Sequence, residues 1–206
     1  TDDRNAIPIP VIDAVLEGID LLPKSELNIK LIGNHEQHLR SGDVHVGRMF
    51  GRKFTVVDRV KTMRFGKLTV ICCAFPSSDS EAAAWLAHEI SANLGAVVLG
   101  HFQVIGSAMP SGSATAGLPR SIFAGVKLAL LGHVHRFQEV TQNVFYVGSP
   151  FQQDHGEAED PFKRVAIVDT DTLGVEWVEL TGYPTHMSVG YSDFITCSQE
   201  TEDRFR

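Results

Sequence analysis

Leu128-Ala129-Leu130-Leu131-Gly132-His133-Val134-His135 is the stretch from which the rest of the chain can be read. Its apolar run has the length of a buried strand, and the glycine marks a turn at its end. Two imidazoles come next, spaced so that both can converge beyond the strand. The same pattern occurs twice upstream. Ile29-Lys30-Leu31-Ile32 runs into Gly33-Asn34-His35-Glu36, and Ala96-Val97-Val98-Leu99 runs into Gly100-His101. In open α/β sheets ligands sit outside the carboxyl ends of the strands, so three polar clusters at three strand ends predict one shared pocket. Each cluster alone also reads as an ordinary turn, because Asn and Gly tolerate positive φ. Together, Asn34, His35, His101, His133 and His135 suit a divalent ion. Neutral imidazole is the commonest side-chain ligand, and a carboxamide oxygen widens the choice toward harder ions.

Working outward, Val11, Ile12, Val15, Leu16, Ile19 and Leu22 recur at helical spacing between Pro10 and Pro23, which predicts a helix with one buried stripe. Phe54–Val60 and Lys67–Phe75 read as two strands joined around Phe65-Gly66-Lys67. Ser78 and Glu81 form a capping box, opening a helix to about Leu94 with Ala82, Trp85, Leu86, Ile90 and Leu94 inward. Residues 104–118 read as a Gly/Ser/Pro/Ala-rich loop whose amides can line the site, or as an ordinary long loop. Val144–Val147 is a further strand, and Arg164–Val168 with Val175–Leu180 reads as an antiparallel pair. His38 and His45 read as exposed loop histidines near the site, and His88 as a surface residue. The first half alternates helix and strand and the second is strand-rich. That predicts two sheets packed face to face with helices outside, a four-layer α/β/β/α sandwich.

The chain has 206 residues, enough for one sizeable domain. We read residues 1–182 as that domain and 183–206 as a linker or the start of a further region. No apolar run approaches the ~20 residues that span a bilayer, and no stretch reads as a secretory leader. Cys72, Cys73 and Cys197 form no CxxC pair, and their odd number fits incidental thiols in a reducing cytoplasm. The net charge of −7 is not that of a general nucleic-acid binder. One stretch runs the other way: Arg48, Arg52, Lys53, Arg59, Lys61, Arg64 and Lys67 stand against the single acid Asp58. Such a strip can track a phosphate backbone. It reads equally as the solvated face of a hairpin, and charge alone does not choose.

Gly33-Asn34-His35-Glu36, Gly100-His101 and Gly132-His133-Val134-His135 together resemble the calcineurin-like metallophosphoesterases. Within them the chain is most similar to the SbcD-type DNA-repair nucleases. Gly100-His101-Phe102-Gln103-Val104 with Gly106, the spacing to His133 and His135, Tyr146-Val147-Gly148-Ser149-Pro150, and Lys163–Asp169 carry that narrower likeness. The resemblance spans roughly residues 5–180. It implies Asn34, His101 and His133 as ligands of one metal ion and His135 as a ligand of a second. Manganese is the expected ion, with iron or zinc as alternatives. It implies His35 as the residue that orients the scissile phosphate and protonates the leaving oxygen, with in-line attack by a water between the ions. DNA is the implied substrate, an SMC-like ATPase of SbcC type the implied partner, and a homodimer a further implied assembly.

One departure matters. The family's opening Asp-x-His and the subsequent Gly-Asp have no counterpart here, and Asp2 and Asp3 follow no apolar strand. The expectation is a domain lacking its first strand, the bridging carboxylate and two ligands of the His135 ion, inactive by itself. Two other functions compete with the nuclease. One is a metallophosphatase or cyclic-nucleotide phosphodiesterase acting on small substrates. The other is a non-catalytic scaffold of the same fold.

Overall fold

The computed structural model describes residues 7–23, 25, 27–37, 44–109, 112–158, 160 and 162–186. Asp2, Asp3, His38, Glu159, Cys197 and the acidic tail lie outside them. The architecture is mixed α/β. In chain order it comprises α1 (Ile9–Leu21), β1 (Ile29–Leu31), β2 (Thr55–Val57), β3 (Val60–Phe65), β4 (Leu68–Cys73), α2 (Asp79–Ala92), β5 (Val97–His101), β6 (Ala108–Met109), β7 (Gly112–Ser113), β8 (Leu128–Gly132), β9 (Gln138–Thr141), β10 (Val144–Tyr146), β11 (Arg164–Val168) and β12 (Val175–Glu179), with 3-10 turns at Val46–Arg52, Arg120–Phe123 and His155–Glu157.

Six strands form the main sheet in the order β3-β4-β5-β8-β10-β9. β4, β5, β8 and β10 run parallel, while β3 and β9 are antiparallel to their neighbours. One face carries Ile71, Cys73, Val98, Ala129, Leu131, Val144 and Tyr146, packed with Ala82, Leu86 and Ile90 of α2. These are the residues that periodicity places inward on α2. Trp85 and Leu94, expected beside them, are 48% and 77% exposed. The helix ends at Ala92, so Leu94 leaves its stripe.

The opposite face carries Val70, Cys72, Met63 and Leu99, and it packs against Ile29, Leu31 and Val57 of the parallel pair β1-β2. Register extends this face across the sheet, from Leu99 to Leu130 and from Leu130 to Phe145. Phe145 there meets Trp177 of the β11-β12 hairpin, ring centroids 5.5 Å apart. Two small sheets therefore lie on one side of the large sheet and α2 on the other.

Residues 54–60 are not one strand. β2 belongs to the small sheet, and Asp58-Arg59 carries the chain across to β3 in the large one. The hairpin turn still falls at Gly66. α1 begins at Ile9, two residues before the expected Val11, with Pro10 in its first turn, and Ile19 is its one buried residue. The rest of its apolar stripe finds little cover because α1 meets chiefly the Val46–Arg52 turn. Lys53 lies just past that turn and donates to the carbonyls of Ile19 and Asp20 at 2.9 Å, capping the helix C-terminus. No helix among the described residues is long and apolar enough to cross a membrane.

Candidate metal centre

β5 and β8 lie side by side, with His101 opposite Gly132 in register. Asn34 arrives from the other layer, on the turn after β1. The three clusters thus meet across the two sheets rather than along one edge. Asn34 Oδ1 stands 3.2 Å from His101 Nε2 and 3.4 Å from His133 Nδ1. The two imidazoles are 5.5 Å apart between centroids, and Phe75 leans on both, 5.3 Å from His133 and 6.3 Å from His101.

Small residues make this approach possible. A Cβ on Gly33 would lie 2.9 Å from His101 Nε2, and one on Gly132 would lie 2.9 Å from His101 Nδ1. The ring of His101 is thus clasped between two glycines. His133 comes directly after Gly132 with φ of +87°, a left-handed backbone that costs a non-glycine residue roughly 1–3 kcal/mol. Its imidazole reaches Asn34 from that conformation.

Burial is the main cause that lowers the pKa of His101, to about 3, aided by the charges of His133, Lys30, His35 and His135. His133 is lowered too, first by burial and then by His135 and His35, against Asp79. Both imidazoles are therefore neutral at neutral pH, the form that ligates metal. The reciprocal influence places His35 and His135 in the same neighbourhood. His35 itself is exposed on the turn.

Spacing supports the donor set. Ligands about 2.0–2.2 Å from one ion lie roughly 3.0–3.4 Å from each other in tetrahedral or octahedral arrangements, and both separations from Asn34 Oδ1 fall there. The chemistry is weak in one respect, since two imidazoles and a carboxamide carry no negative charge. Among the described residues, no group of three or more His, Cys, Asp and Glu side chains is placed to hold a metal ion. These three donors suit one loosely held ion.

His135 sits in a different setting. Its Nδ1 is 2.7 Å from Glu157 Oε1. The other carboxylate oxygen of Glu157 accepts from Lys163 Nζ at 2.5 Å and from Ser149 Oγ at 2.9 Å. Burial would raise the Glu157 pKa, but these donors outweigh it and hold the carboxyl below its usual range. In the sequence Glu157 is only one of several local acids. Its place in an acidic stretch gives no signal of a partner 22 residues upstream.

The Tyr146–Ser149 segment braces both histidine loops. Tyr146 Oη donates to the Phe102 carbonyl at 2.9 Å and accepts from the Val104 amide at 2.8 Å, just past His101. Ser149 N donates to the His135 carbonyl at 2.9 Å. The 104–118 segment closes on itself through a Val104–Leu118 bridge and the small β6-β7 hairpin.

His45, expected in an exposed loop, is buried. A bridge pairs it with Gln37, and its Nε2 lies 3.5 Å from Asp58 Oδ2. His88 is on the surface. Burial raises the thiols of Cys72 and Cys73 to about 12, so both are inert packing groups.

The basic residues are distributed over several elements. Arg48 and Arg52 sit on the 3-10 turn and Lys53 at the end of α1. Lys61 and Arg64 point from opposite faces of β3, since Lys61 pairs with Cys72 and Arg64 with Thr69. Arg59 lines a cavity of about 500 Å³ with Gln37, Asp58, Phe75, Ser78 and Trp85. Phe75 separates this cavity from the imidazoles.

No family model matches the chain, and no curated protein matches it.

Proposed function

We propose that this chain carries part of the ion-binding centre of a phosphodiester hydrolase of the calcineurin-like metallophosphoesterase class, in a four-layer α/β/β/α sandwich, acting on DNA. One observation carries the reading. A single carboxamide oxygen, Asn34 Oδ1, stands at ligand-to-ligand spacing from two half-buried neutral imidazoles delivered by two other segments. Asn34, His101 and His133 hold the ion, Mn2+ by preference. A divalent ion in such a place neutralises phosphate charge and lowers the pKa of water. The chain's own residues do the rest. His101 and His133 stay unprotonated because partial burial disfavours their charge, and Phe75 packs against both rings on one side of the cluster. His35, exposed on the adjoining turn, orients the phosphate and gives its proton to the leaving oxygen. In the full assembly an SMC-like ATPase is the proposed partner.

The same chemistry on a small ester is the second reading. The 500 Å³ cavity beside Phe75 and the dispersal of the basic side chains favour it. Assays of the intact protein that completes the centre, with Mn2+ on linear duplex DNA, single-stranded DNA and a chromogenic phosphodiester, separate the two. Cleavage of the ester alone selects the small-substrate reading. Mn2+ content measured on purified protein tests the ligands themselves: His133→Ala loses the ion and His35→Ala keeps it. Unchanged metal in His133→Ala removes the basis of both readings.

A further inference from the structure

Lys163 is the most deeply buried charged side chain among the described residues, at 2% exposure, and it lies outside the Asn34 cluster. Its ammonium donates to Glu157 Oε2 at 2.5 Å, Asp160 Oδ2 at 2.9 Å and Ser149 Oγ at 3.0 Å. Those three bonds match its three N–H groups. Burial opposes its charge, but the two carboxylates raise its pKa above the usual value. Ser149 accepts from Lys163 and donates its own hydroxyl hydrogen to Glu157. The carboxylate of Glu157 therefore has Oε2 fully engaged and Oε1 directed at His135 Nδ1.

An ionised carboxylate only accepts. The 2.7 Å contact must then be a donation from His135 Nδ1–H. The backbone of the same residue is fixed by the same group, because the His135 carbonyl accepts from Ser149 N at 2.9 Å and lies 3.4 Å from Lys163 Nζ. Gly148 allows the close pass: at φ of +87°, a Cβ there would sit 2.9 Å from the His135 carbonyl oxygen. Side chain and main chain of His135 are held together by one buried unit.

We propose that Glu157, secured by Lys163 and Ser149, is a positioning residue for His135: it locks the imidazole as the Nδ1–H tautomer and leaves the Nε2 lone pair as the one free to take an ion or a phosphate proton. This rests on the metal-centre reading for the use of Nε2, not for the lock. Carboxylates that orient a ligating histidine in this way change metal affinity by roughly 10–100-fold. The charges explain why the unit tolerates burial. The Lys163 ammonium lies against the carboxylates of both Glu157 and Asp160, so its charge is matched where it is buried.

Long-range 1H–15N spectra of the histidine-labelled, metal-free full chain at pH 8 test the lock directly. The expected wild-type pattern is a protonated Nδ1 and a bare Nε2 at His135. In Glu157→Ala that pattern gives way to the Nε2–H form that unconstrained imidazole prefers in water. This variant leaves Lys163 paired with Asp160 and Ser149, so no lone charge is buried. A bare Nδ1 in the wild type overturns the proposal, and this measurement needs no variant to fold. An unchanged Nδ1–H tautomer in Glu157→Ala overturns it as well. Adding Mn2+ to the wild type then judges the metal centre separately. If no histidine resonance broadens, the metal reading fails, while the tautomer result still decides the role of Glu157.

Discussion

Acidifying the metal-free chain from pH 8 to pH 5 should remove about 2 kcal/mol of folding stability through His101 alone. The fold moves its imidazole from 6.5 to about 3, chiefly by burial. With the folded value lowered, the unfolded chain takes up the proton first. Stability from this group is therefore complete above 6.5 and is lost as pH falls from there toward about 3. At pH 5 the unfolded imidazole is charged over neutral by roughly thirtyfold, while the folded one remains neutral, and RT times the logarithm of that ratio gives the figure. At pH 5 the folded Glu157 keeps its charge, since its donors hold it below the ordinary 4.5. Urea denaturation in EDTA at the two pH values, monitored by tryptophan fluorescence, measures the loss. His101→Gln should lose about 2 kcal/mol less than the wild type, with His133 contributing part of what remains. Equal losses in the two proteins would refute the account of a desolvated, neutral His101.

Two further substitutions probe the supports of the site. Gly132→Ala places a methyl 2.9 Å from His101 Nδ1, which should cost about 1–3 kcal/mol in urea unfolding and weaken Mn2+ binding at least about tenfold by titration. Tyr146→Phe removes the hydroxyl that joins the Phe102 carbonyl to the Val104 amide, leaving both buried groups short of a partner. A loss of about 1–3 kcal/mol is expected in thermal or urea unfolding, with Mn2+ still bound if Asn34 and His133 hold their places.

The strand-ending glycines and histidines are legible because their signal is local. A short apolar run ending in Gly-His marks where a strand closes on the site, although β5 continues through Gly100 and His101 and β8 through Gly132 before the chain turns. The α2 face is equally legible, since Ala82, Leu86 and Ile90 obey helical period. The features that escape sequence reading depend on partners distant along the chain. Within Phe54–Val60 the charged pair Asp58-Arg59 is the one local sign that the chain leaves β2 for another sheet, and a reading of the run as a single strand passes over it. The incomplete burial of the α1 stripe could not be foreseen from a pattern that assumes a surface to cover it. Lys53 illustrates the limit for charge: within a basic run it looks like its neighbours, yet it is committed to a helix terminus. Glu157 is the mirror case, an acid with no local signature whose role comes entirely from His135 and Lys163.

The left-handed turn at His133 gives the chain a conflict between robustness and purpose. Glycine would relax that backbone, and asparagine would bear it more easily than histidine does. Under selection for thermal endurance alone, position 133 should therefore be among the first to drift, and its replacements should outlast the parent on heating. Histidine endures there only while something rewards the imidazole.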